Sequence, residues 1–224
     1  MTRPLLLVGA GGLAREVLAA ARALPDQFTP LGLLDDDPVR HGVTLDGLQV
    51  LGPAELVHQH EDALVLVCVA SPGRPDGRAK VVRRLNLPAE RYATLVHPMA
   101  SVAAGTELGE GTVLLAGAVI TAPQRVGAHV LAMPHVLFTH DDVVGDFVTC
   151  AGRAALAGAV TVAESAYLGA GSLVRQGVRV GARAVIGMGA VVLSDIPDGQ
   201  TWAGVPAKQL IDRAPCPKPR EETA

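Results

Sequence analysis

His140 and Gly158 stand eighteen residues apart. Wherever a chain winds so that residues at that spacing lie one above the other, the imidazole faces backbone that carries no side chain. A general base then sits beside an amide N–H. Acyl transfer from a thioester calls for that pair: the base takes the proton of the attacking amine, and the N–H meets the tetrahedral oxyanion. The other histidines offer less. His41, His58 and His60 fall in polar connecting segments and read as surface residues, His129 and His135 take outward-facing turn positions, and His97 precedes Pro98 with no evident partner. His135 and His140 lack further ligands at metal-binding spacing, so no metal site is expected.

A second constellation follows from the same spacing. Thr106, Gln124 and Asp142 are successively eighteen residues apart, each at a position that neighbouring repeats fill with a small or β-branched residue. They read either as one polar column whose side chains satisfy each other's hydrogen bonds, or as a bulge around Pro123 and Arg125 that exposes Asp142, since burying a lone carboxylate is costly. Cys150 stands at an apolar position and reads as a small buried hydrophobe. Together with Cys68 and Cys216 it makes an odd, scattered set that suggests free thiols.

The element that supplies an eighteen-residue pitch is written in the repeat. From Val96 to Val192 every sixth residue is aliphatic or close to it, as in Val102, Leu108, Leu114, Ile120 and Val126, and the position four residues later is mostly small or β-branched. An amphipathic helix repeats near 3.6 residues and a strand near 2. A constant period of six fits a hexapeptide parallel β-helix instead. Three hexapeptides close one triangular coil, and coils about 4.8 Å apart make a rod roughly 25 Å long.

Ahead of the repeat lies a βαβ-type unit. Leu5 to Val8 is a buried-strand run that enters Gly9-Ala10-Gly11-Gly12 and continues as a helical pattern to about Leu24. Glycines at such a turn let backbone amides approach a phosphate at the positive end of the helix. A second strand, Leu31 to Leu34, ends in Asp35-Asp36-Asp37-Pro38, which reads either as a sugar- or base-hydroxyl contact or as a solvated turn. A third run, Ala63 to Ala70, precedes a helix carrying Arg78 to Leu85. The unit is too short for a full dinucleotide fold, and a mononucleotide moiety would fit it.

Composition narrows the function classes. At 224 residues and 49% hydrophobic, the chain holds enough apolar material for two domains, and with six aromatics the core must be built from Val, Leu, Ala and Ile. A formal net charge of −3 leaves no basic footprint for nucleic acid. The N-terminus lacks a signal-peptide layout and no apolar stretch reaches membrane-span length. These features predict a cytoplasmic protein with neither a nucleic-acid nor a membrane partner.

With these residues in view, the chain resembles the bacterial sugar acyltransferases that join a small Rossmann-like N-terminal domain to a left-handed β-helix, as in bacillosamine-pathway N-acetyltransferases and sialic acid O-acetyltransferase relatives. The carriers are Gly9 to Gly12 with Arg15-Glu16-Val17, Leu34 to Pro38, His140-Asp141 before Val144 to Phe147, and Trp202 to Lys208. The resemblance implies an α/β Rossmann-like domain over residues 1–92, a left-handed parallel β-helix over 93–213 and a flexible tail over 214–224. It implies an acetyl-CoA-dependent N-acetyltransferase acting on a nucleotide-linked amino sugar, as a homotrimer with the active site between neighbouring β-helices. His140, Asp141 and Gly158 would form the catalytic set, with Asp141 orienting the ring. Gly11, Gly12, Leu13, Asp35 and Asp36 would bind the nucleotide sugar. Gly158, Val205, Pro206, Ala207 and Lys208 would hold acetyl-CoA.

The chain departs from the family pattern in three places. Leu13 and Thr149 replace histidines, and Asp142 replaces a small or apolar residue. O-acetylation of a sugar hydroxyl is the near alternative, and a non-catalytic β-helix scaffold trimer the distant one.

Overall fold

A computed structural model describes residues 2–211 of the chain. The tail expected over residues 214–224, with Cys216, lies outside the described residues, as do residues 212 and 213.

The N-terminal unit runs β1 (Arg3–Val8), α1 (Gly12–Arg22), β2 (Phe28–Leu34), β3 (Thr44–Leu45), β4 (Leu48–Gly52), β5 (Leu64–Val67) and α2 (Gly77–Leu85). Its sheet has the order β3-β4-β2-β1-β5, parallel except for the β3–β4 hairpin. Asp46 and Gly47, both at positive φ, make the hairpin turn. That hairpin is an addition to the three expected strands, although Asp-Gly between apolar residues is its usual sequence signal. The helix α1 buries Ala14, Val17, Leu18 and Ala21, the i, i+3, i+4, i+7 stripe of an amphipathic helix. It stops at Ala23, just before Pro25 would deny the next turn a donor.

Beyond it the period of six becomes geometry. Two-residue strands recur from Leu95–Val96 to Val191–Val192 and gather into three parallel sheets. Register is eighteen residues throughout, as in Leu131↔Thr149 and Val119↔Leu137. The second residue of each strand fills the bore, with Leu114, Phe138, Cys150, Leu168, Val180 and Ile186 all fully buried. Fully burying each such aliphatic side chain contributes roughly 1.5–3 kcal/mol. Val96, Val102 and Leu108 remain partly exposed because no coil lies beneath them, whereas Ile196, Trp202 and Ala207 pack over the far end.

The turns also repeat. The third residue of nearly every turn has positive φ, by glycine at Gly111, Gly117, Gly171 and Gly177, and by His129, His135, Asp141, Phe147, Arg153 and Ala159 between them. Pro123 interrupts that series, since its ring fixes φ near −65°. The coil stays closed there, with Arg125 and Val126 still paired to Glu107 and Leu108.

The two units share a hydrophobic cluster. Leu5, Leu7 and the buried face of α1 pack with Leu95, Val113 and Leu131, so the N-terminal unit covers one face of the triangular rod. The covered face carries the strands Leu95–Val96, Val113–Leu114, Leu131–Ala132 and Thr149–Cys150. Its two bordering edges carry the turns with His135 and with His129. The third edge, opposite this face, carries the turn with His140.

Candidate active site

The turn Thr139 to Asp142 presents His140 at its second position. Asp141 follows in the left-handed region with φ 60°, a conformation that aspartate tolerates better than most residues. This backbone turns the carboxylate toward the ring, and Asp141 Oδ2 lies 2.8 Å from His140 Nδ1. An ionised carboxylate can only accept, so Nδ1 carries a proton, and in the neutral imidazole the lone pair is then on Nε2. The ring is more than half exposed. One coil on, a Cβ on Gly158 would overlap the imidazole, so only glycine admits this ring position. Gly158 is itself buried under the ring. Imidazole, carboxylate and side-chain-free backbone are therefore together at one edge.

The polar column forms in part, and the bulge does not. Asp142 is 3% exposed, which excludes the reading that a bulge opens it to water. Its Oδ2 accepts from Thr139 N–H at 2.8 Å and its Oδ1 from Val160 N–H at 2.9 Å, while its own N–H donates to Gln124 Oε1 at 3.0 Å. Burial pushes the carboxyl above its ordinary range, and the bonds from Val160 and Thr139 oppose that. Asp142 and Gln124 are thus joined through backbone amides and not side chain to side chain, and Thr106 Oγ1 and Gln124 Nε2 are buried without a partner among the described residues.

The N-terminal turn makes a separate cleft of about 430 Å³, lined by Gly11, Gly12, Leu13, Asp35, Asp37 and Arg40 among others. A Cβ at Gly11 or Gly12 would meet nothing within 4 Å, so these glycines keep the start of α1 bare rather than relieve crowding. Asp35 ties the cleft together, its Oδ2 accepting from Ala10 N–H at 2.7 Å and its Oδ1 from Asp37 N–H at 3.0 Å. Asp36 is not part of that lining. It pairs with Arg84 at 2.7 Å and accepts from Ala54 N–H at 3.2 Å.

The expected CoA segment folds back over the last coil, with Ala207 N–H donating to Val191 O at 2.8 Å. Val205, Pro206 and Lys208 are exposed there and Ala207 is buried. Among the described residues, no group of three or more His, Cys, Asp or Glu side chains is placed to hold a metal ion. No helix among them is long and apolar enough to cross a membrane.

Two placements differ from the sequence reading. His129 is not at the surface but 4% exposed, stacked on Phe147 at 4.9 Å and edge-on to Tyr92 at 4.6 Å. Burial, helped by the nearby Arg78 charge, brings it down to about 4. His97 also has a partner, its Nδ1 accepting from Met99 N–H at 3.0 Å.

Sequence reading gave Arg78 no role, yet this buried guanidinium joins the two units. It donates to Val69 O beside the cleft, and to His129 O, Phe147 O, Val148 O and Thr149 Oγ1 on the β-helix, all within 3.1 Å. Burial lowers it to about 10, so it remains charged near neutral pH. Thr149, where the family pattern has a second histidine, therefore sits at the junction between units and away from the His140 edge.

A β-helix of hexapeptide coils that carries a histidine–carboxylate pair over a glycine, behind an α/β unit with a glycine turn, is shared in its fold with solved acyltransferases. The chain is similar over 93% of its length to the acetyltransferase domain of PglB from Neisseria gonorrhoeae, with 31% identity, full coverage of that domain and a TM-score of 0.81. That domain has also been solved with acetyl coenzyme A. PerB from Caulobacter crescentus, solved with CoA and GDP-perosamine, matches at 30% identity over 92% of this chain and 97% of that one, with a TM-score of 0.81. GDP-perosamine N-acetyltransferase of Escherichia coli O157:H7 is 33% identical over 138 residues, which span 59% of this chain and 62% of that protein. No protein-family profile matches the chain. The chain belongs to the bacterial sugar acyltransferases of the hexapeptide-repeat superfamily.

Proposed function

We propose that the chain transfers the acetyl group of acetyl-CoA to the amino group of a nucleotide-linked amino sugar, with His140 as general base. The observation that carries this reading is the 2.8 Å contact between His140 Nδ1 and Asp141, with the Cε1–Nε2 side of the ring set over Gly158, which has no side chain to displace it. Asp141 holds the tautomer in which Nε2 accepts. As the amine attacks the thioester carbonyl, its proton passes to Nε2, and the Gly158 N–H stabilises the oxyanion. Collapse breaks the C–S bond, and the proton returns from His140 to the CoA sulfur.

The acceptor's nucleotide would lie in the cleft at Gly11, Gly12 and Leu13, in a unit of Rossmann-like build spanning residues 1–92. Asp35 braces that cleft, and Asp36 would act on it only at one remove. Acetyl-CoA would run along the left-handed β-helix from Gly158 toward Val205 to Lys208. Within one chain, however, the N-terminal unit covers the face opposite the His140 edge. That separation supports a homotrimer in which the cleft of one protomer faces His140 of its neighbour.

Replacing His140 with Ala tests the base. Turnover should fall about 10²- to 10⁴-fold, while acetyl-CoA affinity stays unchanged because a base acts in the transition state. Equal turnover in both proteins at saturating substrates removes the role.

A further inference from the structure

The turns of the β-helix usually close on themselves. Ala118 N–H donates to Leu115 O, Ala154 N–H to Ala151 O and Val178 N–H to Arg175 O, in each case from the last residue of the turn to its first. The two turns at the proposed active site are closed differently. In the turn that carries His140, the last N–H, that of Asp142, goes to Gln124 Oε1 in the coil below. In the turn that carries Gly158, the last N–H, that of Val160, goes to Asp142 Oδ1. The remaining carboxylate oxygen of Asp142 takes Thr139 N–H, the amide just before His140. One buried carboxylate therefore fixes both the turn with the base and the turn with the glycine that lies against the ring.

Stability alone does not call for a charge there. The same slot is filled by Ala118, Val136, Ala154 and Val178 elsewhere in the coil, and an aliphatic residue avoids the cost of removing a carboxylate from water. Thr112 shows the milder form of the device, its Oγ1 accepting from Val130 N–H one coil on. The side chain of Asp142 presents two separate oxygens, one accepting from its own turn and one from the next.

We propose that Asp142 is a positioning residue for acyl transfer, setting the spacing between the His140 ring and the Gly158 amide, with Gln124 as its support from the coil below. The proposal rests on His140 acting as the base, and it is tested with Asp142→Val, which restores the aliphatic residue of the ordinary coil. The turns should then close on their own carbonyls, so the melting temperature should hold or rise while kcat falls at least tenfold and acetyl-CoA affinity stays within twofold. In a His140→Ala background the same substitution should change kcat less than twofold, because the spacing it disturbs no longer serves a base. Asp142→Asn, of the same shape but with a donor set against an N–H, should lower kcat similarly and covers the case in which the valine variant does not fold.

Wild-type kcat in a folded Asp142 variant overturns the proposal. So does an equal loss of kcat with and without His140, which would mark a purely structural role. Failure of the base reading looks different: His140→Ala itself would then retain full activity.

Discussion

At the scale of single residues, the histidines divide by what covers them. His140 was legible because an unbroken register converts eighteen residues of sequence into one step along the rod, so its glycine neighbour could be read directly. His129 also lies in a turn, at its third rather than its second position, and its burial depends on where the N-terminal unit docks, which a repeat does not encode. The buried ring has a measurable consequence. Its native value of about 4 lies below the ordinary histidine value, so the unfolded chain binds a proton before the native one does. The stabilising effect is complete above about pH 6.5 and is lost as pH falls toward 4, by up to about 3 kcal/mol. His129→Phe keeps the stack with Tyr92 and Phe147 and removes the titration. Urea unfolding between pH 7 and 4 should show the wild type losing more stability than the variant, and parallel curves would mean that His129 titrates normally.

Among the elements, those with a local periodicity declared themselves, and those that depend on a distant partner did not. The bore of the β-helix follows from Leu114, Cys150 and Ile186 at fixed spacing, and β1 from the run Leu5 to Val8. The β3–β4 hairpin was signalled by Asp46-Gly47. The role of α2 was hidden because nothing in the spacing of Arg78, Lys80, Arg83 and Arg84 sets one cation apart, whereas the structure turns Arg78 inward onto carbonyls of both units. The sign of its contribution follows from that geometry. Desolvating a guanidinium is costly, but charge-assisted bonds at 2.8–3.1 Å offset the cost. Arg78→Met would take the guanidinium from the carbonyls of Val69, His129 and Phe147, while Val148 O keeps the N–H of Leu131, and should lower unfolding free energy by on the order of 3 kcal/mol. Lysine should not restore it, since a point-like ammonium cannot span the same fork of acceptors. A loss below about 1 kcal/mol in denaturant titration would show that the apolar contact between the units suffices without the clamp.

For the whole molecule, the decisive arrangement is that one chain holds the cleft and the His140 edge on opposite sides of the same rod. A trimer that brings them together across its interfaces makes a specific prediction for mixed assemblies. His140→Ala removes the base, and Gly11→Phe fills the cleft at a position where a side chain meets no neighbour. Each variant alone should be nearly inactive. Co-expressed, they should form mixed trimers in which an intact cleft faces an intact histidine, with recovery of a sizeable fraction of wild-type activity. Absence of recovery in verified mixed trimers would place both parts of the site in one chain.

The chemistry itself is tested most directly by mass spectrometry of the product. The purified protein would be given acetyl-CoA and a panel of GDP-, UDP- and dTDP-linked amino sugars. The predicted result is one acceptor acetylated on nitrogen, at a rate that collapses in His140→Ala. Transfer to a hydroxyl, or no transfer to any acceptor by protein that demonstrably binds acetyl-CoA, would contradict it.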